Sequence, residues 1–287
     1  MLLHARRSPQ QAPFAIAPLL LALAVVGTYP CTTLAAAAQQ AHPQSTALFE
    51  QGTAALRSGD LNTAGDDFQQ ATKLAPTFAE GFLNLGLVRE EQGQHQAAIT
   101  ALERAVMLKP TLRGANLFLG IAEYRLDHFD KAAAALKRET KLNPADAHAW
   151  MWLGVDDLAA KHLEDAVDAL DRAAKLSPDD LDILYHRGHA LLLLSRQSYQ
   201  HMFDVDPNSW RVHQVLAQGF AESDRDLDAV AEYRQAVAAA PAEPGLHASL
   251  ATELWKSGQM TEATAEYRKE LAIDPNDTLA RYQLGCL

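Results

Sequence analysis

Cysteine is nearly absent: Cys31 and Cys286 are the only two in 287 residues. A disulfide framework is therefore excluded, and stability must come from packing. No apolar run reaches the ~20 residues needed to cross a bilayer. The longest, Ala15 to Val26, is about a dozen residues and is interrupted by Pro18. Strictly alternating Val, Ile and Thr segments are missing, which disfavours strands. Basic charge is in deficit, with 25 Lys and Arg against 36 Asp and Glu. That balance argues against nucleic acid, whose binding needs cations to neutralise phosphates, and against adsorption to anionic lipid. Catalytic signatures are missing too. The chain holds no Gly-x-Ser-x-Gly elbow, phosphate-cradling glycine loop or His-Glu-x-x-His.

With 48% hydrophobic and 21% charged residues, the chain has the composition of a folded protein. Its richness in Ala, Leu, Glu and Gln favours helix. The N-terminus reads as a secretory signal over residues 1–38. Arg6 and Arg7 give it a positive start, and Leu34 to Ala38 supply small residues for cleavage near Ala38. The expected location is periplasmic or secreted, the alternative being an uncleaved N-terminal membrane anchor. Lipidation at Cys31 is disfavoured, because Thr28-Tyr29-Pro30 before it is not a lipobox. Residues 1–38 hold two arginines and no acid, so their removal takes the net charge from −11 to −13. No integral membrane span is then expected.

Proline sets the organisation of the rest. Pro76, Pro110, Pro144 and Pro178 stand 34 residues apart, Pro207 follows after 29, and Pro241 and Pro275 return to 34. A fixed period of this length marks a solenoid of stacked units. After a short linker, 39–44, seven units follow: 45–78, 79–112, 113–146, 147–180, a shortened 181–209, 210–243 and 244–277. Residues 278–287 form a partial eighth unit or capping stub.

Other positions recur with the prolines. The eighth residue of each unit is Gly52, Gly86, Gly120, Gly154, Gly188, Ala217 or Ala251. The twentieth is Ala64, Ala98, Ala132, Ala166, Ala229 or Ala263, and the twenty-fourth is Phe68, Leu102, Leu136, Leu170, Tyr199, Tyr233 or Tyr267. Within 79–112, Phe82, Leu85 and Val88 have helical spacing, Gln92-Gly93-Gln94 breaks it, and Ala98, Leu102 and Ala105 resume it. Each unit is thus predicted to be helix, turn, helix. Gly59, Gly93 and Gly258 end first helices because glycine accepts positive φ cheaply, and Asp127, Lys161 and Asp224 occupy that turn elsewhere. The small eighth and twentieth residues let two helix axes approach. Proline then separates one unit from the next.

This pattern resembles the tetratricopeptide repeat of exported bacterial type, over almost all of the chain beyond residue 44. The resemblance implies an all-α, right-handed superhelical solenoid of helix-turn-helix repeats. It also implies a concave face lined by first helices, and binding of a protein or peptide segment there rather than catalysis. At the groove positions of that family the sequence has Leu83, Leu87 and Glu91; Leu117, Ile121, Tyr124 and Arg125; Met151 and Val155; Tyr185 and His189; Gln214 and Gln218; and Trp255. These are the candidate partner-binding residues, and no cofactor or metal is expected. The family's clamp for a C-terminal carboxylate is missing: Phe49, Thr53, Gly114 and Phe118 stand where four of its five polar residues would be, and Asn84 alone is kept. Alternatives are the recruiting part of a longer enzyme or transport complex truncated at Leu287, and a small-molecule carrier, which an open face serves poorly.

Two local features qualify the pattern. In the fifth unit, Asp182 to Leu194 reads as an apolar first helix, Ser195 to Ser198 as the turn, and Tyr199 onward as a shortened second helix. Among the acids and histidines, Asp156-Asp157 reads as a solvated pair. His186 and His189 read as one packed and one groove-facing imidazole, and His213 and His247 as packing substitutes at a position filled elsewhere by Phe82 or Trp150.

Overall fold

The computed structural model describes residues 43–287, so the expected signal segment 1–38 and most of the linker 39–44 lie outside the described residues. Among the described residues every regular element is an α-helix, fourteen in all. They fall into two compact units that divide after Leu191. The first contains α1 (Pro43–Arg57), α2 (Leu61–Leu74), α3 (Ala79–Glu91), α4 (His95–Leu108), α5 (Ala115–Arg125), α6 (Phe129–Leu142), α7 (Ala147–Ala159) and α8 (Leu163–Leu176), and the start of α9 (Leu181–Val205). The second contains the end of α9, α10 (Trp210–Glu222), α11 (Asp226–Ala239), α12 (Leu246–Lys256), α13 (Met260–Ile273) and α14 (Thr278–Cys286). In the first unit α1 to α8, and in the second α10 to α14, pack each on the next, the arrangement of an all-α repeat solenoid.

Local chemistry fixes the helix ends. Asp60 starts α2 by accepting the Thr63 N–H at 3.1 Å, and Asp146 starts α7 by accepting those of His148 and Ala149 at 3.0 and 3.3 Å. Each such cap is worth about 1 kcal/mol. First helices stop at a residue of positive φ. Gly59, Gly93 and Gly258 have φ of 82°, 71° and 80°, and Asp127, Lys161 and Asp224 adopt 59°, 66° and 55° in the same role. The left-handed residue turns the chain so that the next N–H reaches back five residues, as from His128 to the Glu123 carbonyl at 3.0 Å and from His162 to that of Asp157 at 2.8 Å.

The small eighth residue has the expected cause. A Cβ on Gly86, Gly120 or Gly154 would lie 2.5 Å from Cγ of Leu102, Leu136 or Leu170 on the paired helix. Each of those leucines is fully buried. A leucine knob therefore sits in a glycine notch in three successive repeats, and truncating one such knob to alanine costs roughly 2–5 kcal/mol. A second device recurs where a first helix opens on a left-handed glycine. Glu139 on α6 accepts the Gly114 N–H at 3.0 Å, and Glu270 on α13 accepts those of Gly245 and Ala248 at 2.7 and 3.1 Å.

The fifth repeat departs from expectation. Leu181 to Val205 is one continuous helix of 25 residues, and no turn interrupts it at Ser195 to Ser198. The physical reason lies in the deletion. The five missing residues are those that elsewhere carry the left-handed break, and the Leu191 to Ser198 stretch contains neither glycine nor proline to stop helix propagation.

Candidate partner-binding surface

The first helices α3, α5 and α7 lie side by side in the first unit, and the predicted groove residues there divide by depth. Leu83, Leu87, Leu117, Ile121, Met151 and Val155 are all buried, at 0 to 8% exposure. They fill the seams between neighbouring first helices and belong to the main apolar core. Glu91, Tyr124 and Arg125 are half-buried, with side chains that reach solvent from the C-terminal ends of α3 and α5. Tyr185 and His189 are exposed on α9, with ring centroids 6.4 Å apart. In the second unit, Gln214 is half-buried and bonded by Arg211 at 3.3 Å, while Gln218 and Trp255 are exposed.

Tyr124 and Arg125 are built into a joined surface with the helices on either side. The Tyr124 ring meets Trp152 of α7 edge-on, with centroids 5.7 Å apart, and tilts against Phe129 at 5.9 Å. The Arg125 guanidinium lies over the same Trp152 ring at 5.8 Å, a cation–π contact. Its Nε stands 3.8 Å from Glu90, which is buried and holds His95 at 2.9 Å. Position and direction of Tyr124 and Arg125 are thus set by three helices before any ligand arrives. Burial pushes the Glu91 carboxyl up from its ordinary range, with the neighbouring Glu90 adding to the effect and Arg125 opposing it. One Glu91 carboxylate oxygen is buried and has no hydrogen-bond partner. Burial likewise raises the Tyr124 phenol. The result is an aromatic platform with one cation and one anion at its edge, suited to stack on and hydrogen-bond an extended chain.

Sequence reasoning passed over Trp152, because only the stacking of α7 on α5 brings it beneath Tyr124. It also placed Asp156 and Asp157 on a solvated face, and the structure corrects this. Both are buried, at 1 and 2% exposure, in the C-terminal half of α7. Neither Asp156 oxygen has a hydrogen-bond partner. Burial, reinforced by Asp157, pushes its carboxyl up to about 7. Asp157 is raised by burial as well.

Five histidines are held by carboxylates. Three pair with a buried acid five residues earlier across the inter-helix turn: His95 with Glu90, His128 with Glu123 at 2.6 Å, and His162 with Asp157 at 3.7 Å. His213 bonds Glu232 at 2.7 Å. His247 bonds Glu266, and its Nε2 lies 3.1 Å from the Pro241 carbonyl, as Trp150 Nε1 lies 3.0 Å from that of Pro144. His186 is buried and His189 exposed. Among the described residues one group, Asp157, His162 and Asp165, places possible metal-ligand atoms within 4.8 Å of one another. It adjoins an open cleft of about 390 Å³ that Lys137 and Arg172 also line, so cations of the protein already share the space. No helix among the described residues is long and apolar enough to cross a membrane.

The family model described as tetratricopeptide repeat matches residues 49–112 and 119–180. No curated protein matches the chain. Among solved structures, the chain is similar to a tetratricopeptide repeat protein from Parabacteroides merdae, at 16% identity over 85% of this chain and 98% of that one, with a TM-score of 0.48. It is also similar to MamA from Desulfovibrio magneticus RS-1, at 17% identity over 71 and 98%, with a TM-score of 0.45. YrrB, described as a TPR protein with an unusual peptide-binding site, shares 13% identity over 75 and 96%, with a TM-score of 0.40.

Proposed function

The chain is a tetratricopeptide-repeat protein, and we propose that it is a non-catalytic scaffold that docks an extended segment of another protein across α3, α5 and α7. The observation that carries this reading is the preset Tyr124, Arg125 and Trp152 cluster. An aromatic and an arginine held at fixed angles lose little side-chain entropy on binding, which is the economy of an interaction hot spot. Glu91 beside Arg125 offers an acceptor for a backbone N–H or a basic side chain of the guest.

The same reading places the scaffold in the cell envelope, supported by Arg6, Arg7 and the apolar run that follows them. The guest is a protein or peptide segment rather than nucleic acid, in keeping with the net charge of −11.

The test is site-specific photocrosslinking from position 124 in cells, with Tyr124→Ala and Arg125→Gln variants assayed for capture of the crosslinked protein. Both variants keep helicity by circular dichroism and lose capture at least tenfold if the cluster is the anchor. Full capture by both would move the interface off these helices.

A further inference from the structure

The turn between α7 and α8 gathers three groups of the kind that metal ions bind. Asp157 lies in the last turn of α7, His162 immediately precedes α8, and Asp165 follows in the first turn of α8. The left-handed Lys161, at φ 66°, closes the turn. The His162 N–H donates to the Asp157 carbonyl at 2.8 Å, so the backbone fixes where the two side chains start. A carboxylate oxygen of each aspartate and one ring nitrogen of His162 lie within 4.8 Å of one another.

The two preceding repeats show the same corner satisfied by the protein alone. In 79–112, His95 meets Glu90 at 2.9 Å, and Ala98 stands three residues on. In 113–146, His128 meets Glu123 at 2.6 Å, and Lys131, three residues on, brings a positive charge 3.9 Å from the same carboxylate. In 147–180 both partners change. Asp157 is one carbon shorter than glutamate, and its oxygen stands 3.7 Å from His162 Nδ1, past hydrogen-bonding distance. Where Lys131 would be, the chain has Asp165. A lysine is thus exchanged for a second acid beside a carboxylate that is only 2% exposed. Burial raises the Asp157 carboxyl, with Lys137 opposing and Asp165 adding to the rise. Lys137 and Arg172 line the cleft beside this corner, but Arg172 lies over the Trp150 ring at 5.9 Å. Among the described residues neither forms an ion pair with Asp157 or Asp165. The corner therefore combines a buried anion, a second anion and an imidazole, with no contacting lysine or arginine among the described residues.

We propose that Asp157, His162 and Asp165 bind one Zn²⁺ ion, which takes the place that Lys131 fills in the preceding repeat. The donor set fits. Zn²⁺ accepts imidazole nitrogen and carboxylate oxygen together, and three protein ligands leave a fourth position for water. Ca²⁺ and Mg²⁺ take oxygen ligands instead. With bonds of about 2.1 Å, two ligands of a tetrahedral ion stand about 3.4 Å apart. Asp157 and His162, at 3.7 Å, are already near that spacing. His162 and Asp165 are exposed, so closing the trio around an ion needs only rotation of surface side chains, and the buried Asp157 is the fixed ligand. The ion clips the end of α7 to the start of α8 and holds the turn between them.

The test is calorimetric titration of the full chain with Zn²⁺ at neutral pH after treatment with a chelator, alongside Ca²⁺ and Mg²⁺. The expected result is saturable Zn²⁺ binding, of which one equivalent is lost, or weakened at least tenfold, in both His162→Ala and Asp165→Asn. Asp165→Lys restores the residue type of the preceding repeat, so it should fold with wild-type helicity and lose the site. Zn²⁺ should raise the unfolding temperature of the wild type and not that of Asp165→Lys, because an ion that binds only the folded chain stabilises it. Absence of Zn²⁺ binding up to about 1 mM would overturn the proposal. So would undiminished binding in His162→Ala and Asp165→Asn, which puts the ion elsewhere on the chain. Ca²⁺ or Mg²⁺ binding as tight as that of Zn²⁺ would overturn it too, since the imidazole would then contribute nothing.

Discussion

Replacing Asp156 by Asn should change how stability responds to pH. Asp156 is 1% exposed on α7 and neither carboxyl oxygen finds a hydrogen bond. Burial and then Asp157 push its carboxyl from the ordinary 3.8 to about 7, with Asp130 acting in the same direction and Lys137 and His162 opposing. The folded state therefore holds one more proton than the unfolded state between these two values. Stability is fully present below pH 3.8, and it declines as pH rises through the window up to about 7. At 1.36 kcal/mol for each unit, the wild type should lose about 2–3 kcal/mol between pH 5 and pH 8 through this one group. Asp156→Asn cannot titrate and should not show that loss. The measurement is urea unfolding of both proteins by circular dichroism at pH 5 and pH 8. The difference between the two differences removes the titration of histidines common to both. Parallel behaviour of wild type and variant would refute the reasoning and mean that Asp156 is solvated or paired in the folded chain.

Three further outcomes can be checked by thermal or chemical unfolding. Gly120→Ala should destabilise by about 1–3 kcal/mol despite the better helix propensity of alanine, because its Cβ would fall 2.5 Å from Leu136 Cγ. Lys161→Gly should stabilise by roughly 0.5–1 kcal/mol, since a lysine held at φ 66° is strained and a glycine there is not. Glu139→Ala should cost about 1–3 kcal/mol, because the buried Gly114 N–H loses its acceptor at 3.0 Å.

The repeat architecture was legible because its devices are local in sequence. The proline ruler, the notch glycines and the left-handed turn at Asp127, Lys161 and Asp224 each occupy a fixed place in the 34-residue period. The fifth repeat was not, since whether a turn survives a deletion depends on whether any remaining residue can break a helix, and Leu191 to Ser198 contains none. The candidate groove was legible only by position. Position does not separate Ile121, fully buried, from Tyr124, which reaches solvent three residues on. Trp152 and Asp156 owe their roles to the stacking of α7 on α5, and spacing along a single helix carries no information about what covers it.

The three identical notches have a consequence for assembly. A leucine knob on α4, α6 or α8 would fit the glycine notch of any of α3, α5 or α7 about equally well, so side-chain shape does not say which helix belongs with which. What says so is the tether. A turn of a few residues makes pairing with the adjacent helix far faster than pairing a repeat away, since the entropy of closing a loop grows with its length. The left-handed residues at Gly93, Asp127 and Lys161 are then proofreading elements: they keep each hairpin in its own register while otherwise interchangeable neighbours fold beside it.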